Sequence, residues 1–346
     1  MGRPSKYHEI ADDLARQISG NSYIDQLPPL RKLAREYNVS LRTVQKAVEI
    51  LSQRTLVIAD STRGVRIIHH PSSKIIGIFC NFRKNGSNDE LFRTLRQLIE
   101  ADGYEAVFLD VPEKVCSDPC GAFWKYGWAD GYISLNGTSD YAIDRCLQSF
   151  HMDVVSANRA FRDAPISCVD FDHASLLRSM VEALVARKHR KIALSFTICS
   201  ARILEDVVGA LHEMQKKYSL TIPPEWISNS KYDIDSKIPK EARIARQFDR
   251  ILSGSQKPDA IICYHRGMRF AKALVAGYGL ALGRDIQLLG TGDGEVPEPG
   301  FIPIEFSYSA LAKGLWHELR TVLQTKDRKS KQTFIEPGHI DFSMLY

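Results

Sequence analysis

The sequence predicts a mixed α/β protein: an N-terminal winged helix-turn-helix head, then a two-lobed body of doubly wound parallel sheets. Three observations lead there. The chain has 346 residues, more than the ~250–300 at which a single hydrophobic core usually stops growing. Its first seventy residues carry apolar side chains at helical spacing and close on a short hairpin pattern. The remainder alternates strand-length apolar runs with amphipathic, helix-length stretches, the pattern of parallel strands joined by crossover helices. The expected divisions are a head over 1–70, a linker over 71–74 and a body over 75–346.

In the head, Tyr7, Ile10, Ala11, Leu14 and Ile18 share one helical face, and the helix should stop near Gly20. Leu27-Pro28-Pro29 is a rigid lead-in to a short second helix with Leu30, Leu33, Ala34 and Tyr37 inward. Asn38-Val39 turns the chain, and Ser40 is placed to cap a third helix by accepting from an exposed backbone N–H. On that third helix Val44, Ala47, Val48 and Leu51 point to the core, leaving Arg42, Thr43, Gln45 and Lys46 mostly outward near its N-terminal end. Two helices joined by a tight turn, with polar and basic groups opening the second, describe a helix-turn-helix. Such a helix reaches base edges in the major groove, where Arg reads guanine and Gln reads adenine. Thr55–Ala59 and Val65–His69 then flank a basic tip, Asp60-Ser61-Thr62-Arg63-Gly64, which is a wing suited to a phosphate or minor-groove contact.

Charge agrees with this division. Residues 1–70 hold 11 Lys+Arg against 7 Asp+Glu, whereas the other 276 residues hold 35 against 34. A positive head on a nearly neutral body suits a polyanionic partner, double-stranded DNA, although so mild an excess carries little weight alone. The hydrophobic share of 44% with 25% charged residues excludes a disordered or collagenous chain. No apolar run approaches the ~18 residues of a membrane span, and the first residues lack the apolar stretch of a signal peptide. The expectation is a cytoplasmic protein with no membrane partner. Its seven cysteines (80, 116, 120, 146, 168, 199, 263) are odd in number and scattered, which reads as reduced, buried thiols. Cys116 and Cys120 have no second pair, so no metal is expected.

The head resembles the GntR-type winged helix. The resemblance rests on Leu27-Pro28-Pro29-Leu30-Arg31-Lys32-Leu33-Ala34, then Tyr37-Asn38-Val39-Ser40, Thr43-Val44, Ala47, Leu51 and Gly64, and covers residues 7–68. It implies DNA contacts from Arg31, from Ser40, Leu41, Arg42, Thr43, Gln45 and Lys46 at the start of the third helix, and from Arg63 and Gly64 in the wing. Leu41 and Gln45 stand where members of the family often carry Arg, which alters the expected target sequence. Leu41 has two readings, packing on the first helix or contact with a thymine methyl. Arg31 could also be an ordinary solvated charge, but its place in this pattern favours DNA.

In the body the expected strands are Lys74–Phe79, Glu105–Leu109, Gly131–Leu135, Asp153–Ala157, Ile192–Phe196, Ala260–Cys263 and Ile286–Leu289. Helices are expected near Asp89–Ala101, Tyr141–Phe150, His173–Arg187, Arg202–Lys217, Glu241–Leu252, Met268–Tyr278 and Ser309–Gln324. Several segments resemble the lac-repressor-type sensor, which shares its periplasmic-binding-protein-like fold with sugar-binding proteins. They are Ala129-Asp130-Gly131-Tyr132-Ile133, Val154–Arg159 with Val169-Asp170-Phe171-Asp172, Lys188-His189-Arg190-Lys191-Ile192-Ala193, Pro258–Ile261 and Ile286–Gly290. The resemblance implies three crossovers between lobes, a small-molecule effector between them, and a homodimer. The pairing of the two modules is similar to the arabinose-repressor class.

Carried over by position, Arg159, Arg202 and Asp293 are effector candidates, joined by Phe82, Tyr264 and His265 after strand ends. Guanidinium forks grip paired hydroxyls or carboxylates, and a carboxylate accepts from sugar hydroxyls. Arg202 could instead be a surface charge that begins a helix. Tyr264-His265 replace the family's usual Asn-Asp, and Asp293 falls one place late, which counts against an ordinary hexose or pentose and leaves open a nucleoside, an acid sugar or no small effector. The aromatic group Phe123, Trp124, Tyr126 and Trp128 fits a packed helix end better than a sugar-stacking wall. His69-His70 reads as part of a hinge. No phosphate-binding loop, nucleophile elbow or zinc-protease pair occurs, so neither an enzyme nor a cofactor is expected. The reading is a ligand-controlled transcriptional regulator, most simply a repressor; the alternatives are a binding protein without regulated DNA contact and a sugar-processing enzyme.

Overall fold

The computed structural model describes residues 6–19, 22–23, 25–54, 56–60, 63–68, 73–80, 89–110, 129–135, 152–157, 166–196, 201–227, 238–264, 267–292, 294–325, 329–336 and 340–346. Its head contains α1 (Lys6–Ser19), α2 (Leu30–Glu36), α3 (Leu41–Gln53) and a hairpin of β1 (Val57–Asp60) with β2 (Gly64–Ile67). The apolar stripes read from the sequence converge on one core, in which Ile10, Leu14, Leu33, Val44, Ala47, Leu51, Val65 and Ile67 are buried. Asn38 takes φ 48°, the left-handed conformation that a short amide side chain tolerates, and this turns α2 into α3. Ser40 caps α3 as expected, its Oγ accepting from the Thr43 backbone N–H at 3.2 Å.

Both body sheets are wholly parallel. The larger has the order β12-β7-β6-β5-β3-β4, and the smaller β11-β10-β9-β8. In the first lobe β3 (Ile75–Cys80), α4 (Asp89–Ala101), β4 (Glu105–Asp110), β5 (Gly131–Ser134), β6 (Asp153–Ala157) and β7 (Ser167–Phe171) follow in chain order. The second lobe takes α5 (His173–Ala186), β8 (Ile192–Phe196), α6 (Ala201–Tyr218), α7 (Lys240–Leu252), β9 (Ala260–Tyr264), α8 (Met268–Gly277), β10 (Gln287–Thr291) and β11 (Phe301–Ile304). The chain then returns, and α9 (Tyr308–Thr325) and β12 (Gln332–Ile335) complete the first lobe. A final passage brings Ile340, Phe342 and Leu345 onto the core of the second. The lobes are therefore joined at three places.

Three strands were not anticipated. β7 holds a run the sequence marked only by resemblance, β11 has four residues including Pro303, and β12 is half exposed at the sheet edge. The expected helix over 141–150 lies outside the described residues, as does the aromatic group at 123–128. Asp130 ties the start of the body together. Its carboxylate accepts from the Ser73 backbone N–H and hydroxyl at 2.6 and 2.7 Å and from the Lys74 N–H at 3.1 Å. Cys80, Cys168 and Cys263 are free, buried thiols. Among the described residues no helix is long and apolar enough to cross a membrane.

Candidate nucleic-acid interface and interlobe seam

The outward face of the head is assembled from three elements. Arg31, one residue into α2, is exposed, and so are Leu41, Arg42, Gln45 and Lys46 on α3. A helix repeats every 3.6 residues, so Leu41 and Gln45 stack on one face, with Arg42 flanking it on the Gln45 side. Thr43 is half-buried, and its hydroxyl is shared with that of Ser40 at 2.8 Å, so these two serve the cap. Lys46 directs its ammonium over the Tyr7 ring of α1, 5.2 Å from the centroid. At the wing, Asp60 accepts from the Arg63 backbone N–H at 2.8 Å, and Gly64 at φ 98° closes the turn with exposed backbone. Gly64 adopts a backbone conformation that a side-chain-bearing residue would strain.

This face is braced from behind. The Tyr37 hydroxyl donates to Asp13 at 2.7 Å and accepts from Gln17 at 3.1 Å, while Gln17 also donates to Asp13 at 2.8 Å. Burial and the Asp13 carboxylate push the Tyr37 phenol well above its usual range, so it remains a donor. Arg54 pairs with Asp12 at 2.6 Å, pinning the far end of α3 to α1. On the other side of the wing Ile58, Arg66 and Ile68 are buried. Burial lowers the Arg66 guanidinium from its ordinary value, against the opposing pull of Asp25 and of Tyr132 in the body. Within the head, the Gln26 and Arg66 backbones bridge on this side, and the Leu27 N–H donates to the Val65 carbonyl at 2.9 Å.

The carboxyl ends of the strands in both lobes meet at an aromatic seam. β7 passes into α5 within two residues, and β11 into α9 within four. Phe171 stacks on Phe306 with centroids 4.3 Å apart, and Phe306 meets His173 edge-on at 5.3 Å. Tyr264 lies 6.0 Å from the His173 ring and 5.9 Å from Phe196. The Tyr264 hydroxyl donates to the His173 carbonyl at 2.9 Å, and burial raises its pKa well above the usual value. Asp170, fully buried, accepts from the Phe171 N–H at 2.8 Å and has one oxygen 3.7 Å from His173 Nε2. Asp172 caps α5 through Ser175, at 2.8 Å to its N–H and 2.9 Å to its hydroxyl. Asp170 and Asp172 are thus both engaged within the chain.

Among the effector candidates, Tyr264 is the one whose side chain is described, and it packs in the seam with its hydroxyl already used. Arg202 belongs to the first turn of α6, but its side chain lies outside the described residues. Phe82, Arg159, His265 and Asp293 lie outside them altogether, as do His69 and His70. The sequence missed two anchoring residues. Gln247 of α7 is buried, accepting from the Ser195 hydroxyl at 2.7 Å and the Phe196 N–H at 3.0 Å, and donating to the Phe196 carbonyl at 2.9 Å. Arg187 donates to the carbonyls of Phe342 and Leu345 at 2.6 and 2.9 Å, holding the last crossover. A polar residue at an apolar position of an amphipathic helix was the available signal for Gln247. Arg187 had none. Among the described residues no group of His, Cys, Asp or Glu could hold a metal ion.

Residues 6–67 match the family model described as bacterial regulatory proteins, gntR family. The head is a GntR-type DNA-binding domain. Comparison with curated protein sequences gives no match. Solved structures do resemble the chain. A regulatory protein of the LacI family from Chloroflexus aggregans is 18% identical, with TM-score 0.66, over 79% of this chain and 99% of its own. The transcriptional regulator CelR, in complex with cellobiose, is 14% identical with TM-score 0.64 over 96% of this chain and 97% of its own. Transcription regulator CcpA of Lactococcus lactis is 12% identical with TM-score 0.60 over 75% and 95%. At such identities the likeness speaks to fold. Behind its GntR head the chain carries a two-lobed, periplasmic-binding-protein-like body.

Proposed function

We propose that this chain is a homodimeric transcriptional regulator, acting as a repressor, whose operator affinity is set by a small sugar-like molecule held between the lobes. The observation that carries the reading is the face of Arg31, Arg42 and Gln45. These are exposed donors on a braced helix-turn-helix, and they are the kinds of group that base and phosphate contacts use. Ser40, Thr43, Lys46, Arg63 and Gly64 support that face by capping, bracing and wing contact. The net +4 of residues 1–70 is modest, so a single head grips DNA weakly and two heads on half-sites ~34 Å apart supply tight binding.

For the effector, support comes from the fold and from CelR, which holds cellobiose. The residues proposed to line the site are Phe82, Arg159, Arg202, His265 and Asp293, which follow strand ends, where ligands bind in open parallel sheets. Tyr264 would shape the site from beneath. A ligand favouring one lobe arrangement shifts operator affinity by the difference in its binding energies to the two states. The test selects an operator from random duplexes with the full chain, then titrates it in a gel shift while sugars, sugar acids and nucleosides are screened by thermal shift. We expect salt-sensitive, sequence-specific binding, and a stabilising ligand that alters it and loses its effect in Arg202→Ala. Failure to select any sequence would sink the regulator reading. Ligand binding that survives such a failure would favour a binding protein without regulated DNA contact.

A further inference from the structure

Leu41 is a large apolar side chain left in the open. It opens α3 and is 39% exposed, and it takes no part in the core that buries Val44, Ala47, Val48 and Leu51. Of the two readings the sequence allows, this exposure favours contact with a thymine methyl over packing on α1. Its neighbours on the same end are Arg42 and Gln45, also exposed, and Gln45 stands one turn away on the same face. The other polar groups of this end are engaged, Ser40 with Thr43 and Lys46 with the Tyr7 ring.

The chemistry of the major groove narrows what such a pair can meet. A leucine offers neither donor nor acceptor, and the apolar group that bases present on the groove floor is the C5 methyl of thymine. A glutamine amide pairs in two-point fashion with N6 and N7 of adenine. Four residues of helix rise ~6 Å, against ~3.4 Å for a base step, so the two contacts fall within about two base pairs of each other. We infer that Leu41 reads a thymine methyl and Gln45 an adenine edge, giving each half-site an A·T-based core. The inference rests on the regulator reading above and deepens it by naming the bases.

The experiment uses the full chain and its selected operator. Each thymine is replaced in turn by deoxyuridine, which removes the methyl and leaves the pairing unchanged. In the wild type, one position per half-site should weaken binding about fourfold, as ~0.8 kcal/mol for a buried methyl converts at ~1.4 kcal/mol per tenfold. In Leu41→Ala that position should become indifferent while the melting temperature stays unchanged. A 7-deazaadenine scan, read against Gln45→Ala, should in the same way mark one adenine within about two base pairs of it. A selected operator with no deoxyuridine-sensitive thymine, or one whose sensitivity persists in Leu41→Ala, overturns the inference and leaves the regulator reading standing. A chain that selects no sequence overturns both.

Discussion

The outward face of the head and the aromatic seam of the body are both rich in polar side chains, yet they treat them oppositely. On the head, Arg31, Arg42 and Gln45 stand exposed, and the interactions that hold α3 lie behind it in Asp12, Asp13, Gln17, Tyr37 and Arg54. At the seam, Tyr264, Asp170, Asp172 and Gln247 are spent on backbone groups and neighbours inside the chain. A surface that meets a partner keeps its hydrogen-bonding capacity for that partner. At a buried joint each unmet group would cost ~1–3 kcal/mol, and His173 Nδ1 is the seam atom that is left without a partner among the described residues. Substitutions in the two regions should therefore fail in different assays.

The largest effect is expected at Gly290 of β10. Its φ is 156°, and a Cβ there would meet the Cys263 carbonyl of the neighbouring strand at 2.0 Å. Gly290→Ala should destabilise by more than ~4 kcal/mol, the exceptional end for single substitutions, and calorimetry would show a collapsed melting transition. Gln247→Leu should follow at ~2–4 kcal/mol, since it strips partners from Ser195 and from both backbone groups of Phe196. A Gln247→Leu melting temperature within a degree of wild type would break the contrast on the seam side. Tyr264→Phe, which keeps the ring and loses the bond to His173, should cost about 1–2 kcal/mol in denaturant unfolding.

The head should behave in reverse. Arg42→Ala is expected to leave stability within ~0.5 kcal/mol while weakening operator binding and, if the contact is to phosphate, lowering the salt slope by about one. Unchanged affinity with a lowered melting temperature would make the face structural and erase the comparison. The smallest effect concerns acid. The Asp102 carboxylate accepts from the Trp316 indole at 2.8 Å and Arg320 at 3.0 Å, and these bonds hold its pKa below the usual carboxylate value. A depressed folded pKa adds stability that is complete above the ordinary value, ~3.9, and is lost as pH falls through the lowered one. The gap in melting temperature between wild type and Asp102→Asn should accordingly close towards pH 2.

Much of this could be read from the residues in order. Helices α1 to α3, the Ser40 cap, the Asn38 turn and the wing are local events, fixed by spacing of 3.6, one side-chain oxygen or one left-handed residue. The apolar runs of β3, β6, β8 and β9 are buried on both faces, so each announces itself as a continuous stretch. What could not be read is pairing over distance. Gln332–Ile335 has no apolar run and becomes a strand by lying beside Cys168–Phe171, more than 160 residues away in the chain. Phe301–Ile304 contains Pro303, whose missing N–H is tolerated because β11 lies at the edge of its sheet.

The same division holds for function. The order of residues alone determined that the head is a helix-turn-helix, which side chains of its third helix lie outside the core, and that the body alternates strand and helix, because each depends on neighbours within a turn or two. Tertiary structure decided that Leu41 is exposed, that Lys46 leans back on Tyr7, that Tyr264 is sealed in the seam, and that Arg66 of the wing is buried. Each of these turns on whether another element arrives to cover a side chain, and burial is a property of the packed whole that no local pattern contains.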